Sequence, residues 1–106
     1  MTNLSKPKAL ITGASSGIGK ATALEFAKAG IDVALVSRSY DKLIAVASAA
    51  AATGVEAKAY ELDLAKVGQV REQIQSIASD FGGIDILVNN AGIGYISTLS
   101  KTPLAD

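Results

Sequence analysis

Cysteine and histidine are both missing from this chain. Without cysteine there is no disulfide framework and no thiolate chemistry. Without histidine the commonest general base and the commonest metal ligand are gone, so no catalytic or metal-binding constellation is expected from the usual residues. There is no excess of either charge, with ten basic and ten acidic residues. That speaks against a nucleic-acid partner, which would need a basic surplus. No run of about eighteen apolar residues occurs, so no membrane span is expected. The N-terminal Met1 to Lys8 carries lysines but no apolar core, unlike a secretory signal, and a cytoplasmic setting is the default. Aromatic residues make up only 5%, and the 49% hydrophobic share leans on alanine and aliphatic side chains. At 106 residues the chain is at most one domain. A domain of that size buries roughly 60–70% of its unfolded surface, enough for one core.

What is present centres on Thr12-Gly13-Ala14-Ser15-Ser16-Gly17-Ile18-Gly19. The apolar run Ala9-Leu10-Ile11 precedes it and a helical pattern begins at Lys20. The order is strand, glycine-rich turn, helix. Glycines reach backbone angles closed to other residues and leave no Cβ between backbone and ligand. The helix behind them aims unpaired N–H groups and the positive end of its dipole at the turn. A pyrophosphate suits such a place. A merely structural tight turn suits it equally, so the remainder of the chain has to decide.

Residues 1–7 read as a polar lead-in ending at Pro7. The first strand is expected over about 8–12 and the first helix over about 17–29. That helix is apolar nearly all round, which predicts burial on several sides. Gly30 is its expected C-terminal cap. Val33-Ala34-Leu35-Val36 is continuously apolar, as in a parallel strand covered on both faces. Ser39 suits the N-cap of a second helix over about 40–53, with Leu43, Val46, Ala47, Ala50 and Ala51 as its apolar stripe and Ile44 at the margin. The third strand, about 55–62, alternates with polar residues as an edge strand does. Helix three, about 66–81, places Val67, Val70, Ile74, Ile77, Ala78 and Phe81 on one face. Gly82-Gly83 ends it, and the fourth strand spans 84–88. Asn89-Asn90-Ala91-Gly92, a polar loop and Pro103 come last, the proline in a position to open another helix.

The alternation β-α-β-α-β-α-β predicts an α/β fold, a parallel sheet with right-handed crossovers. By analogy with dinucleotide folds the expected order is 3-2-1-4, a Rossmann-like doubly wound sheet cut off after strand four. Its switch point lies between strands one and four, and ligands bind outside the carboxyl ends of the strands there. Thr12 to Gly19 and Asn89 to Gly92 both fall at that place.

These stretches resemble the short-chain dehydrogenase/reductase family. Thr12 to Gly19 is similar to its Thr-Gly-x-x-x-Gly-x-Gly cofactor motif. Asn89-Asn90-Ala91-Gly92 resembles its Asn-Asn-Ala-Gly motif, and Asp63-Leu64 its adenine-binding pair. The likeness covers the chain from about Pro7 onward. It implies that Gly13, Ser15, Ser16, Gly17, Ile18 and Gly19 line the pyrophosphate and adenosine ribose. It implies that Asp63 and the Leu64 backbone hold the adenine. Asn90, Ala91 and Gly92 would pass along the riboses, while Asn89 ties strand four to its neighbours. Plainer roles stand beside these: Asp63 as a helix cap, Ser15 and Ser16 as solvated turn residues, Asn89-Asn90 as a polar strand end. Asp32 precedes strand two, whereas the ribose-binding acid of NAD-specific relatives comes after it. In this chain strand two runs into Ser37-Arg38-Ser39, with no carboxylate to repel a 2′-phosphate and a guanidinium whose geometry suits one. In this family a basic residue there marks NADP preference, with Ser37 able to add a hydroxyl contact. Some NADP-dependent relatives carry a second basic residue in the glycine turn, where this chain has Ser16. A surface arginine is the plain alternative for Arg38.

The family's catalytic Tyr-x-x-x-Lys is absent. Four residues beyond Tyr40, Tyr60 and Tyr95 stand Ile44, Leu64 and Leu99. The resemblance therefore implies the N-terminal, NAD(P)-binding half-domain (residues 1–106) of a longer oxidoreductase. That enzyme would transfer hydride between NADP(H) and a small carbonyl or alcohol substrate, as a homo-oligomer at full length, with this portion alone inactive. The alternative class is a stand-alone nucleotide-binding sensor or regulatory half-domain.

Overall fold

Strands with no polar face need cover on both sides, and that need sets the architecture. The computed structural model describes residues 6–62 and 70–90. Its elements come in the order β1 Lys8–Thr12, α1 Gly17–Lys28, β2 Asp32–Ser37, α2 Tyr40–Ala51, β3 Ala57–Glu61, α3 Val70–Phe81 and β4 Ile86–Val88. The strands form a parallel sheet in the order β3-β2-β1-β4. This is the expected order, with β3 at an edge. Leu10 pairs with Ala34 on one side and Leu87 on the other, so β1 is central.

Because side chains alternate along a strand, the sheet divides into two cores. Ala9, Ile11, Val33 and Leu35 pack against Ala23 and Ala27 of α1 and Leu43, Val46, Ala47 and Ala50 of α2. Leu10, Ala34 and Val36 face the other way, onto Ile77 and Phe81 of α3. Helices thus cover both faces.

The structure corrects several expectations. Helix α1 is not buried on several sides: only Gly19, Ala23 and Ala27 are. These small residues at four-residue steps let the helix lie close to the sheet, and its other apolar residues turn outward or only graze the core. Ile18 is 77% exposed. In α2 the buried stripe is Leu43, Val46, Ala47 and Ala50, with Ala51 outside it. Ser39 occupies the N-cap position of α2 without a side-chain capping bond; its own N–H donates to Ser37 Oγ at 3.0 Å. Strand β3 starts at Ala57 rather than Val55 because the Glu56 N–H donates to the Asp32 carboxylate at 2.9 Å. Asp32 belongs to β2 as its first residue. The start of helix three, with Val67, lies outside the described residues.

Gly30 acts as expected: its N–H donates to Ala27 O and the Ile31 N–H to Phe26 O, closing α1 with a paired cap. Gly82 and Gly83 repeat the pattern on Ser79 and Ala78 after α3.

At the amino ends of the strands, Lys8 Nζ meets the Asp32 carboxylate at 3.2 Å and Glu56 at 3.4 Å, and lies over the Phe81 ring at 4.8 Å. The Asp85 carboxylate accepts from the Lys8 N–H at 3.0 Å. Burial raises the Asp32 pKa, but the Glu56 N–H and the Lys8 ammonium outweigh it and hold the carboxyl below its ordinary value. Asp32 is therefore a structural tie at the end of the sheet away from Ser37.

Candidate cofactor-binding site

The opposite, carboxyl ends of the strands carry the glycine turn. Thr12 ends β1, and Gly13 comes next with φ of +62°. The Ala14 N–H donates to Val36 O at 3.2 Å, so the turn is fastened to the end of β2, and Ala14 is fully buried. Ser16 lies extended at the N-cap of α1 and makes no side-chain capping bond. Gly17 opens the helix with φ of +59°. Gly19 sits so close beneath Gly13 that an added Cβ would lie 2.7 Å from the Gly13 carbonyl carbon. The turn can fold back over the helix only because position 19 carries no side chain.

This arrangement leaves the first turn of α1 open. Ser16, Gly17 and Ile18 are exposed. No acidic residue stands in that first turn, so the positive end of the helix dipole is not neutralised locally. Ser15 is half-buried, and its Oγ accepts from Ser37 Oγ at 2.9 Å. Ser37 ends β2, with Arg38 and Ser39 exposed beyond it. Arg38 has no ion-pair partner among the described residues.

The end of β4 joins the turn through Thr12, which is 2% exposed. Thr12 Oγ1 donates to Asn89 Oδ1 at 2.9 Å and accepts from the Asn90 N–H at 2.9 Å. Asn89 thus ties β4 to its neighbour, as expected. Asn90 Nδ2 is buried with no hydrogen-bond partner among the described residues. A buried amide donor left unpaired costs about 1–3 kcal/mol, so an acceptor brought to that point by a ligand would be strongly held. Thr12 opens the turn motif read from the sequence, but sequence reasoning gives it no part in the site; its role as the joint between the two loops is seen only in the fold. Of the sequence candidates, Gly13, Ser15, Ser16, Gly17, Ile18, Gly19, Ser37, Arg38 and Asn90 are brought to this end of the sheet. Asp63, Leu64, Ala91 and Gly92 lie outside the described residues. The donors present suit an anionic dinucleotide: open helix N–H groups, serine hydroxyls, a guanidinium and an unpaired amide.

The chain matches the short chain dehydrogenase family over residues 7–106. It belongs to that family. The 3-oxoacyl-acyl-carrier-protein reductase FabG of Staphylococcus epidermidis is 48% identical over 86 residues, covering 80% of this chain and 35% of its own length. L-sorbose reductase from Gluconobacter frateurii, solved with NADPH and L-sorbose, is 41% identical with a TM-score of 0.74, covering 95% of this chain and 39% of that one. NAD+-bound xylitol dehydrogenase is 38% identical with a TM-score of 0.75, covering 82% and 34%. The short-chain dehydrogenase resemblance and the 3-2-1-4 sheet are therefore both established. The chain spans little more than a third of the relatives it matches.

No catalytic group stands out in the described part of this family member. Tyr60 has a lysine near it, but Asp80 sits between them: the Tyr60 hydroxyl donates to its carboxylate at 2.6 Å and Lys58 Nζ pairs with it at 2.7 Å. Burial and that carboxylate push the phenol well above its ordinary pKa. A tyrosine serving as a proton donor near neutral pH needs the opposite shift. No helix among the described residues is long and apolar enough to cross a membrane, and none of their acidic side chains cluster in a metal-binding group.

Proposed function

We propose that this chain is the NADP(H)-binding portion of a short-chain oxidoreductase that moves hydride between the nicotinamide and a small carbonyl or alcohol substrate. The observation that carries this reading is the meeting of two loops at the carboxyl ends of β1 and β4. Thr12 Oγ1 joins them, and Asn90 presents a buried, unpaired amide there. In this reading residues 1–106 form one half-domain. Gly13, Ser15, Ser16, Gly17, Ile18 and Gly19 hold the pyrophosphate and the adenosine ribose. Asp63 and Leu64 hold the adenine, and Asn90, Ala91 and Gly92 run along the riboses. The bound cofactor would give or accept the hydride; the residues here bind and orient it.

The preference for NADP over NAD rests on Arg38. The solved relatives include one holding NADPH and one holding NAD+, so cofactor choice turns on local residues. After β2 this chain offers an exposed guanidinium and no carboxylate. The proposal extends to a cytoplasmic homo-oligomer whose proton-donating residues lie beyond these 106 positions. The chain itself therefore binds nucleotide without turnover. The test is fluorescence titration of the purified chain with NADPH and NADH, followed by incubation with a panel of aldehydes and ketones. Saturable NADPH binding, weaker NADH binding and no NADPH oxidation are expected. Steady oxidation, or a preference for NADH, would overturn the corresponding part.

A further inference from the structure

The sequence suggests a 2′-phosphate contact for Ser37, but the structure gives its hydroxyl other partners. Its oxygen accepts the Ser39 N–H at 3.0 Å, and its O–H donates to Ser15 Oγ at 2.9 Å. A serine hydroxyl has one proton, and in this arrangement that proton is spent within the protein. Ser15, once it accepts from Ser37, has its own proton free to donate. Ser15 lies in the glycine turn, two residues before the helix that faces the pyrophosphate position. The observed donors therefore run in one direction, Ser39 N–H to Ser37 and Ser37 to Ser15, and leave the Ser15 proton to donate elsewhere. Such chains polarise each member in the same sense and strengthen the last donor.

We propose that Ser37 is a positioning residue. It orients the Ser15 hydroxyl toward the pyrophosphate and so couples the segment after β2 to the glycine turn. This rests on the dinucleotide reading given above and assigns a separate role within it. Cofactor choice and phosphate binding are then divided between adjacent residues. Arg38 reads the 2′ position, while Ser37 acts through Ser15 on the part that NADPH and NADH share. The fastening of Ala14 to Val36 O keeps the two segments at a fixed separation, so the serine pair acts across a rigid gap rather than between two loose loops.

The experiment measures the affinity of the 106-residue chain for NADPH and for NADH in the wild type, S15A, S37A, the S15A/S37A double variant and S37T, with a thermal melt of each. S37A is expected to weaken both nucleotides by the same factor, about three- to tenfold, the worth of one neutral hydrogen bond. The double variant is expected to be no weaker than S15A alone, since both changes interrupt one relay. S37T keeps the hydroxyl and restores most of the affinity. A loss confined to NADPH in S37A would mean direct contact with the 2′-phosphate and would overturn the proposal. So would losses that simply add in the double variant, or S37A binding at wild-type strength. Equal loss in S37T and S37A, with lowered melting in both, would reduce Ser37 to a packing role and overturn it as well. A wild type that binds neither nucleotide overturns the dinucleotide reading itself, which distinguishes that failure from the others.

Discussion

At the scale of single residues, two glycines of one turn make different demands. Gly17 has φ of +59° and open space where a Cβ would stand, whereas Gly19 has Gly13 backbone in that space. Gly17→Ala therefore costs only the left-handed conformation, about 1–2 kcal/mol, and the turn keeps its shape. Gly19→Ala forces the helix and the turn apart, so it is expected to lower the melting temperature further and to remove nucleotide binding. Thermal melts and titrations of the two variants check the contrast; equal effects would show that φ alone decides. Arg38→Leu is expected to weaken NADPH about tenfold while sparing NADH, with the difference shrinking as salt is added. An unchanged ratio would make Arg38 a surface residue. The glycine spacing, Arg38 and Asn90 are legible in the sequence because each belongs to a local pattern. The hydroxyl bond between Ser15 and Ser37, and that between Thr12 and Asn89, join residues far apart in sequence. Nothing local announces them.

At the scale of elements, continuous apolarity in β2 and regular spacing in α3 tell strand from helix, and glycines mark the helix ends. The coverage of α1 is not legible. Its alanines and leucine fit a helix buried all round as well as one resting on a narrow stripe, and only packing decides between them. The strand starts are blurred for a related reason: side chains take over the ladder there. Asp32 receives the Glu56 N–H and the Lys8 ammonium, tying the starts of β1, β2 and β3 together. Its pKa is lowered on folding, so its contribution is present above the unfolded value of 3.8 and is lost as pH falls through the lower folded value. Asp32→Asn is expected to cost about 1.5–3 kcal/mol near neutral pH and to flatten the fall in stability at acid pH. Urea unfolding at several pH values reads both effects; a parallel shift at every pH would deny Asp32 a charged role.

At the scale of the whole molecule, the sheet separates two kinds of polar chemistry. The amino ends of the strands hold a set of ion pairs and hydrogen bonds around Lys8, shared with Asp32, Glu56 and Asp85. The carboxyl ends hold donors with work left to do: the open first turn of α1, Arg38 and the buried Asn90 amide. The alternation of elements makes a parallel sheet legible, while the strand order that creates this division comes only by analogy with dinucleotide folds. The balance of satisfied and unsatisfied groups at each end is not, because it depends on three-dimensional pairing. The central claim is that the dinucleotide lies across the carboxyl ends of β1 and β4. The most direct measurement is the backbone amide NMR spectrum of the chain during titration with NADPH. Shifts concentrated at residues 13–19, 37–39, 63–64 and 89–92, with Lys8, Asp32, Glu56 and Asp85 unmoved, are the expected result. Saturating shifts centred on the Lys8 end, or no shifts at all, would contradict it.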